Sequence, residues 1–191
     1  MMKSLEILMD EHRVIEQVLN CLEQILERCG AEGKLNKEST QQALDFFRTF
    51  ADRSHHGKEE AHLFPLLESR GLGSGCGPVA VMRREHELGR LYVQGMDAVL
   101  EAAANGEPEA VRWFTLHGQS YIRLLREHIG KEDHCLFARA ESVMSAQDDD
   151  TLQAAYGQFE AVDLSPGTHE KYVNIANQLA DRCGVTKEET H

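Results

Sequence analysis

The chain has 191 residues, enough for one sizeable core, and a formal net charge of -12 from 32 acidic against 20 basic side chains. That balance argues against a nucleic-acid or anionic-membrane surface, both of which need concentrated positive charge. Five cysteines (Cys21, Cys29, Cys76, Cys135, Cys183) with no Cys-x-x-Cys spacing give neither a disulfide framework nor a cysteine zinc site, and a reducing cytoplasm is expected. No apolar run approaches the roughly 20 residues that span a bilayer, and the opening residues do not follow a secretory leader pattern.

The first predicted helix covers about Ser4 to Cys29, where Leu5, Leu8, Ile15, Leu19, Leu22 and Leu26 recur at helical spacing. Ser4 suits the N-cap, Gly30 the stop, and His12 falls on the stripe. Residues 30–36 form a connection, after which Ser39 with Gln42 offers a capping box for a second helix running to about Ser69. Leu44, Phe47, Ala51, His55, Glu59, His62 and Leu66 share one of its faces. A buried imidazole and carboxylate would be costly there without partners, and a metal ion supplies them.

After the glycine-rich turn from Gly71 to Gly77, Pro78 opens a third helix that continues to about Ala104. Val79, Met82, His86, Gly89, Val93, Met96 and Leu100 alternate spacings of three and four, so His86 stands in an otherwise apolar seam with Gly89 leaving space beside it. Pro108 opens a fourth helix to about Met144, with Phe114, His117, Tyr121, Leu125, His128, Glu132 and Cys135 on one face. His117 lies about 16 Å from His128 along the axis, too far for one centre, and is given a structural role. Tyr121 is placed to donate a hydrogen bond toward His128, while His62 and His134 are assigned supporting or surface roles. The run Asp148-Asp149-Asp150 reads as a helix boundary, since it lacks the glycine and distal glutamate of a calcium loop. Two short helices follow, about 151 to 161 and 168 to 182, split by Ser165-Pro166-Gly167; His169 and His191 receive no function. The expected fold is all-α: an up-down-up-down four-helix bundle over 1–147, with a C-terminal helical extension, 148–191, packed on its outside.

The strongest signal is an internal repeat. His55-His56-Gly57-Lys58-Glu59-Glu60-Ala61-His62-Leu63-Phe64 aligns without a gap on His128-Ile129-Gly130-Lys131-Glu132-Asp133-His134-Cys135-Leu136-Phe137. Each copy carries His-x-x-x-Glu, which puts an imidazole and a carboxylate on one helical face a turn apart, within reach of one ion. Ile129 stands opposite His56, so the repeat selects His55 and Glu59 and sets His56 and Glu60 aside as neighbours. The predicted metal ligands are then His12, His55, Glu59, His86, His128 and Glu132. Four imidazoles and two carboxylates exceed one zinc site and are the wrong donors for calcium, but they suit two first-row transition ions. Bridging by both carboxylates and an oxo or hydroxo group makes five donors per ion and leaves a sixth position open.

Glu11-His12, the segment from His55 to Phe64-Pro65, Gly77 to Met82 leading to Glu85-His86-Glu87, and His128 to Phe137 together resemble the hemerythrin-like, or HHE cation-binding, family over roughly residues 4 to 145. The resemblance implies a four-helix bundle with a non-haem di-iron centre, carries the same six residues onto the family's ligand positions, and is most similar to its four-His, two-Glu subgroup. That subgroup includes bacterial proteins for repair of iron centres under nitrosative stress. Two departures follow. Oxygen-carrying hemerythrins have a second helix-3 histidine one turn after the first, where this chain has Arg90, so a five-histidine site and simple oxygen carriage are not expected. The repair proteins begin with a cysteine-bearing segment that does not match here. The expected activity is therefore binding or reduction of a small molecule, dioxygen, nitric oxide or peroxide, with an iron or oxygen sensor or iron-handling protein as the alternative. Arg90, turned inward, would stabilise a bound anion.

Overall fold

The computed structural model describes residues 1–73, 77–164 and 167–187, the side chains of 163 and 164 apart. Among these residues every regular element is a helix: α1 (Lys3–Glu32), α2 (37–72), α3 (Pro78–Ala104), α4 (108–143), α5 (146–164) and α6 (Thr168–Cys183). No helix among them is long and apolar enough to cross a membrane. Parts of the glycine-rich turn and of the Ser165-Pro166-Gly167 break, and His191, lie outside the described residues.

The helix ends show where local rules gave way to tertiary contacts. Ser4 is not the cap of α1: Met2 holds that position, and the Asp149 carboxylate of α5 accepts from the backbone N–H of Lys3 (3.2 Å) and Ser4 (2.8 Å). A distant carboxylate thus satisfies two of the amides that a helix start leaves free. Gly30 continues the helix, which ends at Gly33 with φ 72° and its N–H on the Cys29 carbonyl, because a left-handed residue closes the last turn at little cost only as glycine. Asn36, ahead of the predicted Ser39 box, caps α2 by accepting from the Ser39 N–H at 3.0 Å. Ser145 and Asp148 form a reciprocal capping box, so α5 starts earlier than expected and the aspartate run occupies its first turn, where negative charge is favourable.

Both repeat copies contain a feature that the 3.6-residue period does not reveal. After each glutamate the helix widens into a π-helical turn: the Phe64 N–H donates to the Glu59 carbonyl and the Phe137 N–H to the Glu132 carbonyl, each five residues back. A third such bond runs from Gly57 to Asp52, inside a longer π-helical stretch from Phe47 to His56. One extra residue turns the following face by about 100°. The buried residues beyond the glutamates are accordingly Leu63, Phe64 and Leu67, and Leu136, Phe137 and Ala140. The predicted face members His62 and Leu66 are half-buried instead, and Cys135 is exposed.

Two apolar cores result, with a polar belt between them. The larger gathers Ile15, Leu22, Phe47, Phe50, Met96 and Phe114 with their neighbours, and the smaller Leu5, Leu8, Phe64, Met82, Phe137 and their neighbours. His12 lies between Leu8 and Ile15 on α1, and His86 between Met82 and Val93 on α3, so each falls in the gap. The C-terminal helices close both cores: Tyr172, Ala176 and Leu179 of α6 join the larger, Leu152 and Tyr156 of α5 the smaller. Tyr172 also donates its hydroxyl to Asp45 of α2 at 2.8 Å.

Candidate metal centre

All six predicted ligands converge in the belt, and His56 joins them. The donor atoms of His12, His55, Glu59 and Glu132 lie within 4.8 Å of one another, and so do those of His56, Glu59, His86 and His128. The two clusters share Glu59, and Glu132 of the first also reaches His128 of the second. Glu132 Oε2 is 3.2 Å from both His12 Nε2 and His128 Nε2, and Glu59 Oε2 is 3.8 Å from His55 Nε2 and 3.4 Å from His86 Nε2.

The repeat set His56 aside, and the geometry brings it in. Successive helical residues diverge by about 100°, so His55 and His56 flank opposite sides of the centre while Glu59, one turn on, faces between them. The His55 ring meets His12 edge-on at 4.6 Å, whereas His56 stacks on His86 at 3.8 Å. The fifth imidazole comes from helix α2, so the absence of a second histidine on α3 does not limit the donor set to four. No counterpart exists in the second copy because Ile129 points into the larger core.

Every imidazole is held from behind by a carboxylate on Nδ1. The Nδ1–H of His12 donates to Asp133 (2.7 Å), that of His55 to Glu11 (2.9 Å), His56 to Asp52 (3.4 Å), His86 to Glu60 (2.7 Å) and His128 to Glu85 (3.0 Å). Carboxylates only accept, so they fix the proton on Nδ1 and leave Nε2 facing inward as a ligand atom. A cation in turn holds each carboxylate: Arg13 on Asp133, Lys58 on Glu11, Lys131 on Glu85, and Arg90 on both Asp52 and Glu60. Arg90 also pairs with Glu87. It is therefore engaged by three carboxylates and does not turn inward toward a bound anion.

The interior atoms fit a metal and little else. Nε2 of His12, His55 and His56 and all four carboxylate oxygens of Glu59 and Glu132 are buried without a hydrogen-bond partner among the described residues. His86 Nε2 and His128 Nε2 face each other at 3.2 Å. Leaving such groups unpaired costs several kcal/mol in aggregate, and cations between them remove that cost. Nitrogen and carboxylate donors together suit first-row transition ions.

The electrostatics show the same frustration. Burial, then the Glu132 charge, pushes the Glu59 carboxyl well above its usual range. Burial opposes ionisation of Glu132 too, but His128 and His12 outweigh it and hold that carboxyl well below. Burial lowers His55 to about 3 despite Glu11, and lowers His86 and His56 as well. His128 goes the other way, to about 9, because Glu132 and Glu85 overcome its burial.

A cleft of about 550 Å³ reaches the centre from one side, lined by Phe47, Asp52, His56, His86, Gly89, Arg90 and Tyr121. A side chain begun at Gly89 would meet Tyr121, Leu125 and Leu124 at ordinary contact distances, 3.5, 3.7 and 3.9 Å. Tyr121 packs its ring on Phe47 at 4.9 Å and lines the cleft. His117 stands apart, stacked on Trp113 at 6.0 Å and filling the space over Gly95. His62 sits beside Tyr156 and Phe159, and His134 is exposed. His169, given no function from sequence, lies 3.7 Å from Glu11 in a third cluster with Glu160. The Lys58 ammonium binds both of those carboxylates, so its charge is already where a cation would sit.

Sequence reasoning missed His56 and the carboxylates behind the imidazoles. One signal was present: Glu11-His12 and Glu85-His86 are the same dipeptide on α1 and α3.

A helical domain whose belt gathers imidazoles and shared carboxylates in this way is a metal-binding domain. The family profile of the hemerythrin HHE cation binding domain matches residues 3–140, and the chain belongs to that family. It is 28% identical over 141 residues to uncharacterized proteins of Mycobacterium tuberculosis and Mycobacterium bovis, covering 74% of this chain and 54% of theirs. It is also 38% identical over 104 residues to the iron-sulfur cluster repair protein YtfE of Edwardsiella ictaluri, covering 51% of this chain and 44% of that protein. The chain thus spans about half the length of the curated relatives it matches. No solved structure matches.

Proposed function

We propose that α1 to α4 form an up-down-up-down bundle holding two iron ions bridged by Glu59 and Glu132, and that the centre binds or reduces dioxygen, nitric oxide or peroxide in an oxidative or nitrosative stress response. The observation that supports this best is the pair of overlapping clusters that share Glu59 but differ in imidazoles, His12 and His55 in one against His56, His86 and His128 in the other, with Glu132 3.2 Å from an imidazole of each. Two redox-active ions in such a shell would supply electron transfer to a small ligand. The chain's own residues do the rest. Asp133, Glu11, Asp52, Glu60 and Glu85 orient the imidazoles and raise their basicity toward the ions. The two apolar cores shield the belt on either side, and the cleft beside Gly89 gives a small molecule a way in. His56 stands between that cleft and the interior on the longest of the five imidazole-carboxylate hydrogen bonds, which makes it the residue most able to yield to an entering ligand.

The anaerobically reduced, iron-loaded protein mixed with oxygen, peroxide or nitric oxide should change its iron absorption with at least one of them. Gly89→Leu, which extends a side chain into the cleft, should slow that change without loss of iron. No change with any of the three reagents would overturn the reading. A sensing, iron-handling or iron-centre repair role is the second reading, favoured by the 38% identity to a YtfE repair protein. It predicts iron transfer to a damaged cluster or a metal-dependent partner, without turnover of the three small molecules.

A further inference from the structure

The C-terminal helices cover one half of the bundle and leave the corresponding face of the other half bare. Aligning Glu11-His12 with Glu85-His86 sets α1 on α3, so Val14, Gln17 and Cys21 correspond to Leu88, Leu91 and Gly95. On α1 all three are buried, where α6 packs against α1 and α2 and the Gln17 amide donates to Asn177 of α6 at 3.2 Å. On α3 the corresponding leucines face outward, Leu88 38% and Leu91 60% exposed. Trp113 and Leu116 of α4 are 42% and 51% exposed, and the His117 ring, stacked on Trp113 and lying over Gly95, joins their row to that of α3. A solvent-facing apolar surface of this extent is unusual for a protein that works alone.

The hairpin supplies its own complement. Glu85 accepts from His128 and Gly95 lies under His117, so α3 and α4 run antiparallel and the levels between follow one for one. Leu91 is then level with Ser120, Leu116 with Gly95 and Trp113 with Ala98, so one helix is bulky wherever the other is small. The charges alternate in the same way: Arg84 is level with Glu127, Glu87 with Arg123 and Glu101 with Arg112. A twofold axis parallel to the helices keeps every level and lays α3 of one copy on α4 of the other, which seats each bulky side chain on a small one and each cation on a carboxylate.

We propose that this face is the interface of a symmetric dimer of the chain, with α3 of each copy packed on α4 of the other. The face runs for about 30 Å along the helices and about 20 Å across them. The relief of its side chains brings its accessible area toward the roughly 800 Å² that each partner gives a standard interface. Leu91, Leu116 and Trp113 form the apolar centre, and the charges lie around them. Within one chain Glu87 pairs with Arg90, Glu101 with Lys37 and Arg112 with Glu109, pairs that solvent weakens and a second copy can replace. Such charges fix the register of the two copies, while the covered leucines and indole hold them together. The metal belt lies on the inner side of both helices, so the dimer does not require an occupied centre.

The test is sedimentation velocity of the full chain across a concentration series, with and without chelator, and with reductant present so that exposed Cys135 cannot link copies. The expected result in both samples is a two-chain species whose share rises with concentration. Leu91→Glu and Leu116→Glu replace exposed side chains, and each should raise the dimer Kd about thirtyfold or more with helix content and metal content unchanged. Arg84→Glu and Glu127→Arg should each weaken association severalfold, and the two together should restore it. A single chain at every concentration, which would leave the face for a different protein, would overturn the proposal. So would a dimer indifferent to both leucine variants, or a double charge reversal that fails to restore association.

Discussion

The two copies of the repeat build the same device and bury it differently. In the first, Lys58 holds Glu11, which accepts from His55; in the second, Lys131 holds Glu85, which accepts from His128. The residue after each glutamate crosses to the other half, Glu60 to His86 and Asp133 to His12. The helix pairs α1–α2 and α3–α4 are thus related by an approximate twofold, and the metal belt lies where they meet. The copies part in two places. Lys58 is fully buried and also pairs with Glu160 of α5 at 2.7 Å, while the Lys131 side chain is 42% exposed. His56 adds a donor where the second copy has Ile129. A duplicated local motif therefore produces unequal halves once the C-terminal helices cover only one of them.

The largest expected effect treats the copies alike. Glu59→Ala and Glu132→Ala should each reduce metal from two ions per chain to fewer than one by elemental analysis. At a thousandfold excess over Kd, bound metal adds about 4 kcal/mol, so either change should lower Tm by roughly 10 °C. Without metal the sign reverses at Glu59: Glu59→Gln should be no less stable than the metal-free parent, since it removes a buried carboxylate crowded by Glu132.

Next come the lysines, which should separate the copies. Lys58→Met strands buried Glu11 and should cost about 3–5 kcal/mol, whereas the exposed Lys131→Met should cost no more than about 1 kcal/mol. Urea unfolding of the two variants measures the gap, and equal losses would mean that the α5 covering contributes nothing. Smaller again are the crossing carboxylates. Glu60→Gln and Asp133→Asn should each weaken metal binding about 10–100-fold in competition with a chromogenic chelator, by similar factors if the twofold holds.

His56→Ile makes the first copy match the second, and should weaken one ion while leaving the other bound. His55→Ala, in the cluster with fewer imidazoles, should cost more. Loss of both ions from His56→Ile alone would show that the clusters are not separable. The smallest effect is on protons. In the metal-free centre His128 titrates near 9 and so holds a proton at neutral pH that an entering ion must displace, and burial with the Glu132 charge shifts Glu59 in the same direction. Metal binding should release about one proton or more per chain at pH 7, and affinity should fall as pH drops. Calorimetry in two buffers of different ionisation enthalpy reads that number directly.

Much of this was legible in one dimension. Heptad-like spacing located all four long helices, Pro78 and Pro108 gave two starts, and the aligned copies singled out His55, Glu59, His128 and Glu132. The boundaries that moved did so for non-local reasons: Asp149 caps α1 from the far end of the chain, and α5 starts early because Ser145 and Asp148 close a box that the aspartate run disguised. His56 was hidden by the repeat itself, since Ile129 fills its place with a core residue.

The sequence alone determined which side chains share a helical face as far as each glutamate, because backbone periodicity is a property of neighbours three and four residues apart. It thereby determined the donor types and most of their positions. Tertiary structure decided which imidazole each carboxylate holds, with partners separated by 26 residues for Glu60 and His86 and by 121 for His12 and Asp133. It also decided how far each face turns after its glutamate, through π-helical bonds that no residue pattern announces. Those choices depend on the rotation and offset of packed helices, which are set by the cores on either side of the belt and not by the segments that supply the ligands.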